Sequence, residues 1–437
     1  MKTQSMMFGV VVASFAAYAS GPRVDLNAVT VSQDASSHRV TVKYTLTGEP
    51  GIVTLDIQTN AAENVWESIG DDKIRSLAGA VNRRVDVLDR ESEIYWFPNK
   101  DWPGQTITGG KLRAVVKAWS TNAPPDVMVV DLVVGGDVRY FPSLDALPGG
   151  IQDHRYKTEC LVLRKCPAEG VRWRMGSPSS EPNRHWDSAN REQLHAVTLT
   201  NDFYIGVYEV TQGQYKRVME SQTVLPGEQV NPAYFSQAED WETRPVETVT
   251  YDGIRGNSDG HEWLTKGHAV DSGSWLGKLR THAGGGQFDL PLDAEWEFAC
   301  RAGTGTGLNN ETEFSTVDDL CAVARCYYNS NPGAYARTTP ASESGTSVVG
   351  SYGQNQWGLY DMHGNVWEIC LDWYVKQLAT VDPCVGATTG NMHPRRGGSW
   401  AESTTQLCRS AARSDVGNTS ADMQCGFRVA CSALACP

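Results

Sequence analysis

Trp357-Gly358-Leu359-Tyr360-Asp361-Met362-His363-Gly364-Asn365-Val366-Trp367-Glu368 is the stretch on which the reading of this chain turns. Asp361 and Glu368 are hard anionic oxygen donors within one short segment, and Gly364 between them permits a sharp turn that aims backbone carbonyls inward. Working upstream, the chain carries Gly206-Val207-Tyr208-Glu209-Val210-Thr211, then Arg244-Pro245-Val246-Glu247-Thr248-Val249, then Leu290-Pro291-Leu292-Asp293-Ala294-Glu295-Trp296-Glu297 and Cys300-Arg301-Ala302-Gly303. Downstream come Arg396-Gly397-Gly398-Ser399-Trp400, Arg409-Ser410-Ala411-Ala412-Arg413 and Gly426-Phe427-Arg428. Thr211, with Gln214 placed to close a capping box, predicts a helix reaching about Glu220. A second helix is predicted from about Asp293 through Arg301. Between these helices the sequence is rich in Trp, Gly and Asn/Asp and poor in long periodic runs, which predicts loops pinned by side chains.

This ordered set, spanning roughly Glu159 to Cys431, resembles the formylglycine-generating-enzyme (sulfatase-modifying-factor) family. The resemblance implies an irregular α/β arrangement of C-type-lectin-like fold. The family's enzymes oxidise a sulfatase cysteine with molecular oxygen and a copper ion held by two thiolates, soft ligands suited to Cu(I). Both thiolates fall between the Gly-Gly-Ser-aromatic and Arg-x-Ala-Ala-Arg segments. Here that interval reads Ala401-Glu402-Ser403-Thr404-Thr405-Gln406-Leu407-Cys408. The first cysteine position falls near Glu402 and the second near Thr405 or Gln406, while Cys408 sits too close to Arg409 to match either. The expectation is a family scaffold with no catalytic cysteines and no copper. By resemblance, Ser399, Trp400, Trp367, Arg409 and Arg413 line or support a ligand groove, with Arg413 and Arg428 bridging loops. Calcium is the cofactor the resemblance implies, held by the side chains of Asp361 and Glu368 and the carbonyls of Gly364 and Val366. It also places Cys370 to meet Cys408 and leaves Cys300 to Cys425 or Cys431; the family's second calcium site, an Asn near Asn329 with an acidic residue of the following loop, is not expected, because the short loop from Thr338 to Tyr352 offers only Glu343.

The first part of the chain reads differently. From Val24 to about Val134, apolar and polar residues alternate in short runs such as Arg39-Val40-Thr41-Val42-Lys43-Tyr44 and Lys111-Leu112-Arg113-Ala114-Val115-Val116. Gly48-Glu49-Pro50-Gly51 and Thr108-Gly109-Gly110 punctuate them. The expectation is a β-sandwich of immunoglobulin or fibronectin type over 21–134, a Gly/Pro linker over 135–155, and the family-type domain over 156–437, an α+β chain as a whole. Residues 1–20 have the form of a secretory signal peptide: Lys2, the apolar run Met6 to Ala19, and Ala17-Tyr18-Ala19 before Ser20.

The 11 cysteines agree with an oxidising compartment, secreted or periplasmic/cell envelope, and with local disulfides such as Cys160/Cys166, Cys321/Cys326 and Cys431/Cys436. A formal net charge of −13 argues against nucleic acid and anionic lipid as partners, since both select Lys/Arg excess. No later apolar run is long enough to predict a membrane span. Phosphate-binding glycine loops, His-Glu-x-x-His and paired Cys-x-x-Cys zinc patterns are absent from the sequence, and nothing ties a His/Asp pair to Ser399 for hydrolase chemistry. The function expected is non-oxidative binding of a peptide, protein or carbohydrate ligand in the groove. An active oxidase and a structural envelope protein are the readings left beside it.

Overall fold

The structure, a computed structural model, describes residues 21–433 other than 63–64, 106–110, 134, 186, 188–190, 223, 225–227, 257–268, 334–335 and 377–389. The expected signal peptide, the turn at Thr108-Gly109-Gly110 and Cys436 lie outside the described residues.

Nine strands open the chain: β1 (Arg23–Val24), β2 (Thr30–Gln33), β3 (Val40–Thr47), β4 (Gly51–Ala62), β5 (Val65–Ser68), β6 (Leu77–Gly79), β7 (Arg83–Val85), β8 (Glu91–Trp96) and β9 (Leu112–Trp119). The alternation read from the sequence is real in β3, where Val40, Val42, Tyr44 and Leu46 are buried and the residues between them half-buried. β3 pairs antiparallel with β1, β2 and β8, and β6 extends the sheet from β8. β4 is the centre of a second antiparallel sheet with β5, β7 and β9. The inward faces of the two sheets share one apolar core of Val42, Tyr44 and Leu46 with Val53, Leu55, Ile57, Ile94, Trp96 and Val116.

Twelve more strands follow: β10 (Val127–Asp131), β11 (Val138–Phe141), β12 (Cys160–Cys166), β13 (Arg172–Met175), β14 (His195–Thr198), β15 (Phe203–Gly206), β16 (Phe288–Asp289), β17 (Trp367–Ile369), β18 (Met392–Arg396), β19 (Ser414–Gly417), β20 (Cys425–Gly426) and β21 (Ala430–Ser432). They form a six-stranded sheet in the order β11-β10-β12-β15-β21-β16, a four-stranded sheet β19-β18-β17-β20, and the hairpin β13–β14. The sequence boundary expected at 134/135 falls inside the β10–β11 hairpin, and the stretch expected as linker holds β11 and the start of the helix Arg155–Thr158. The physical reason is burial on both faces. Val127 and Val129 pack into one core while Met128 and Val130 pack into another. The run is therefore apolar throughout, as in strands covered on both sides, and it pairs with β12 rather than with the N-terminal strands.

Both expected helices form. Thr211 caps Gln212–Glu220, its Oγ accepting the Gln214 N–H while the Gln214 side chain accepts the Thr211 N–H. The helix Asp293–Arg301 ends at Ala302 in the left-handed conformation. The architecture is mixed α/β, with sheet dominant and few helices. Among the described residues no helix is long and apolar enough to cross a membrane.

Candidate functional site

The helix Asp293–Arg301 is the hub of the second half, because its buried face is ionic. Asp293 accepts from Arg396 and Arg413, and Glu297 accepts from Arg301 and Arg396 at 2.9 and 3.0 Å. All five side chains are buried. Burial alone would raise both carboxyl pKa values, but the facing guanidinium groups outweigh it and hold both below the usual carboxylate range. The planar guanidinium fork suits this task, since Arg396 reaches two carboxylates and also the carbonyls of Ser410 and Ala412. The network thereby ties the helix to β18 and to the 410–413 turn.

The decisive dodecapeptide folds against this hub. Asp361, Gly364 and Asn365 all have positive φ, near 56°, 70° and 55°. Only glycine fits at 364, because a Cβ there would lie 2.1 Å from the Arg325 carbonyl oxygen. The resulting loop buries Asp361 and Glu368. Glu368 accepts from the Arg428 guanidinium at 2.6 and 2.8 Å and from the Trp296 indole at 2.7 Å. Asp361 accepts the Gly350 N–H through Oδ2, while its buried Oδ1 has no hydrogen-bond partner among the described residues. Burial pushes the Asp361 carboxyl up to about 6.

A third carboxylate, Glu209, lies beside these two. It accepts from the Val366 N–H and the Asn365 side chain, and it is raised well above its ordinary value by burial first and then by Asp361 and Glu368. Sequence reading passed over Glu209. The available signal was a carboxylate set among Val207, Tyr208 and Val210 in a segment that reads as core.

Do these residues suit the calcium ion implied by the resemblance? The unpartnered, buried Asp361 Oδ1 is the kind of hard oxygen such an ion takes. Glu368 is already neutralised by Arg428, and among the described residues no three His, Cys, Asp or Glu side chains gather closely enough to hold a metal. The fit thus rests on Asp361 with backbone carbonyls, and Glu368 is shared with Arg428. The amide of Asn329 is engaged locally: it accepts the Cys326 N–H and donates to the Ala324 carbonyl.

The five residues expected at a groove are all buried. Ser399 donates to Gln424 at 2.6 Å, and the Trp400 indole donates to the Met423 carbonyl. Trp367 lies in β17, paired in parallel with β20. Arg409 binds both oxygens of Glu192 at 2.8 and 2.9 Å and also Glu181. Arg413 binds Asp293. All five lie in the interior, whereas in the 401–407 segment beside them Ser403 is exposed, Thr405 is buried and the other residues are half-buried.

A separate cleft of 1010 Å³ lies between Thr248–Thr250 and Asp271–Ser274, and its wall includes Ala421. Thr248 has φ near 60°, an uncommon conformation for a β-branched residue, held by its N–H to the Asp422 carbonyl and its hydroxyl to Glu247.

The cysteines depart from expectation. Cys160, Cys166, Cys300, Cys321, Cys326, Cys370, Cys408 and Cys425 stand as thiols. Cys160 and Cys166 are the two ends of β12, which at about 3.3 Å per residue sets them roughly 20 Å apart, beyond the reach of a disulfide. Cys370 and Cys408 fall in different apolar clusters. Cys300 packs against His363, with its sulfur 3.9 Å from Nε2. His363 is itself buried; Nδ1 donates to the Cys408 carbonyl, Nε2 accepts the Asn309 N–H, and burial lowers its pKa to about 4, so it is a neutral packing residue. Cys321 and Cys326 do approach, with sulfurs 3.2 Å apart.

Residues 168–433, more than half of the chain, match the sulfatase-modifying factor enzyme 1-like domain (FGE-sulfatase). The chain belongs to this family. It is 36% identical over 149 residues to a formylglycine-generating enzyme of Streptomyces coelicolor, covering 32% of this chain and 46% of that protein. It is 33% identical over 207 residues to the chaperone protein LppX of Paenibacillus barcinonensis, covering 41% of this chain and 64% of that protein. The chain thus spans about half to two thirds of the length of these relatives. Among solved structures, the Treponema denticola variable protein 1 aligns with a TM-score of 0.45 at 24% identity, over 62% of this chain and 95% of that one.

Proposed function

We propose that this chain is an exported member of the family that binds a peptide, protein or carbohydrate ligand and is not a copper-dependent oxidase. In this reading an immunoglobulin- or fibronectin-like sandwich precedes a C-type-lectin-like family domain. The observation that carries the reading is the chemistry of the 401–407 surface. Where the family's enzymes place two copper thiolates, this chain has Glu402 and Thr405 or Gln406, oxygen and amide groups that Cu(I) disfavours. The neighbouring Cys408 thiol is fully buried, and burial raises its pKa, so it is not a ready thiolate. Relatives named both as formylglycine-generating enzymes and as a chaperone agree with a scaffold that hosts more than one role.

The test is to incubate the purified chain with copper, oxygen and a Cys-x-Pro-x-Arg peptide and to follow peptide mass. The peptide should be recovered unchanged, and turnover to the aldehyde would overturn the reading. In parallel, the chain should bind members of a peptide or glycan array. No binding to either class would favour a structural envelope role.

We further propose that calcium binds at the 361–368 loop through Asp361 and Glu368 and the carbonyls of Gly364 and Val366. The support is the buried, unpartnered oxygen of Asp361. Calcium should raise the melting temperature of the wild-type chain, and Asp361→Asn should abolish that rise. An equal rise in both proteins would remove this ligand set.

A further inference from the structure

Behind the 401–407 surface, three thiols occupy one small apolar cluster: Cys321, Cys326 and Cys408, packed with Leu308, Phe314 and Leu320. Cys321 is the last residue of the helix Val317–Cys321, and Cys326 follows after a loop of Ala322, Val323, Ala324 and Arg325. The two sulfurs are 3.2 Å apart, so a shift of roughly 1 Å brings them to the bonded separation of about 2 Å. Cys321 is partly exposed while Cys326 is fully buried. A solvent-borne oxidant therefore meets Cys321 first, with Cys326 already aligned behind it. Among the described residues no set of three ligands gathers there for a metal, which separates this pair from a soft-metal site.

The loop between the two thiols is fastened to the site described above. The Arg325 guanidinium donates to the carbonyls of Gly345, Asn329 and Ala341. The Arg325 carbonyl accepts the Asn365 N–H at 2.8 Å, and the Asn365 carbonyl in turn accepts the Trp400 N–H at 2.8 Å. Ser330, just beyond the loop, donates to the Trp400 carbonyl. A continuous line of backbone bonds thus runs from the thiol loop through the 361–368 turn to the base of the 401–407 surface.

We propose that Cys321 and Cys326 form a solvent-addressable intrachain disulfide that pins this loop, and through Arg325 and Asn365 the floor of the 401–407 surface. Oxidation proceeds by exchange with a small-molecule disulfide. The Cys321 sulfur attacks the reagent, one reagent thiol leaves carrying a proton, and the Cys326 sulfur then displaces the second. Two thiols of the protein lose two electrons and two protons, and one reagent disulfide becomes two thiols. The Cys321 thiol is protonated at neutral pH, since burial, followed by the neighbouring sulfur, pushes it up to about 12. Exchange is accordingly slow and accelerates in alkali. The disulfide forms whether or not the 401–407 surface holds a ligand.

The experiment equilibrates the full chain with oxidised glutathione or with dithiothreitol, alkylates it, and maps peptides without further reduction. In the oxidised sample, residues 321 and 326 should be unalkylated and linked, with two hydrogens fewer; in the reduced sample both should be alkylated. Amide hydrogen exchange at Asn365 and Trp400 should run roughly tenfold faster in the reduced protein. Cys321→Ser should lose the link and its redox response, whereas Cys408→Ser should keep both. Alkylation of Cys321 after oxidation, a Cys326–Cys408 link instead, or identical exchange at Asn365 in both redox states would each overturn the proposal.

Discussion

The N-terminal sheets and the C-terminal family domain both bury apolar cores, but only the second adds a buried ionic network to its core. The first is held by an apolar core: Val42, Leu46, Val53, Ile57 and Ile94 meet between two sheets, while Lys43, Glu91 and Glu93 pair in solvent. The second buries its charges, with Asp293, Glu297, Arg396, Arg409, Arg413, Glu368 and Arg428 all sealed from water. A core of aliphatic side chains tolerates adjustment, because dispersion contacts are many and individually weak. A buried ionic network does not, because each carboxylate is tolerated only while its guanidinium partners remain. The contrast teaches that the long irregular loops of the family domain are organised by directional, long-range pairs rather than by periodic burial.

The largest expected effect breaks this contrast at its centre. Asp293→Ala strands Arg396 and Arg413 without their shared carboxylate, and breaking a buried pair of this kind costs about 3–5 kcal/mol. The matching change in the apolar core, Ile94→Val, removes one methyl group and should cost about 0.5–1.5 kcal/mol. Urea unfolding followed by hydrogen exchange in each region would read both. Equal losses would mean that the ionic network is not what holds the family domain.

How much of this was legible in the sequence follows from the same contrast. The alternation in β3, the Thr211 cap and the Asp293 helix depend on neighbours within a few residues, and sequence reading places them well. Periodicity alone groups β10 with the N-terminal strands because it does not name a strand's partner, which here is β12. The ionic network joins residues about a hundred positions apart, as Asp293 and Arg396 are, so no local pattern announces it. Motif order, which does not depend on local periodicity, singled out the 361–368 loop, and the structure buries its Asp361 and Glu368. It did not find that Ser399, Trp400 and Arg409 lie beneath the surface, or that Glu209 completes the carboxylate cluster.

A second test exploits the cost of burying charge without a full partner. Glu247 is fully enclosed, accepting from the Tyr234 and Phe235 N–H groups and the Thr248 hydroxyl, and burial raises its pKa from 4.5 to about 7. As pH rises from 4.5 to 7, the unfolded chain releases this proton while the folded chain keeps it. Folding is therefore destabilised progressively through that window, by roughly 3 kcal/mol at most from this group. Asp372, raised to about 7 by burial and then by Asp293, adds a slope of the same sign. Glu247→Gln should flatten part of the fall in melting temperature between pH 5 and pH 8. An unchanged slope in this variant would mean that Glu247 is ionised in the fold throughout.

The smallest expected effect sharpens the other side of the contrast. Lys43 in β3 faces Glu91 at 2.7 Å and Glu93 at 3.4 Å, a geometry as short as many of the buried pairs. Its side chain is 41% exposed, and the two carboxylates are 59% and 38% exposed. Water and salt screen the attraction, and holding a long lysine in one rotamer offsets most of what remains. Lys43→Ala should therefore leave the melting temperature within measurement error, with no difference between low and high salt. A clear salt-dependent drop would show that this sheet, too, draws on charge, and the division between an apolar half and an ionic half would have to be redrawn around exposure rather than around sequence region.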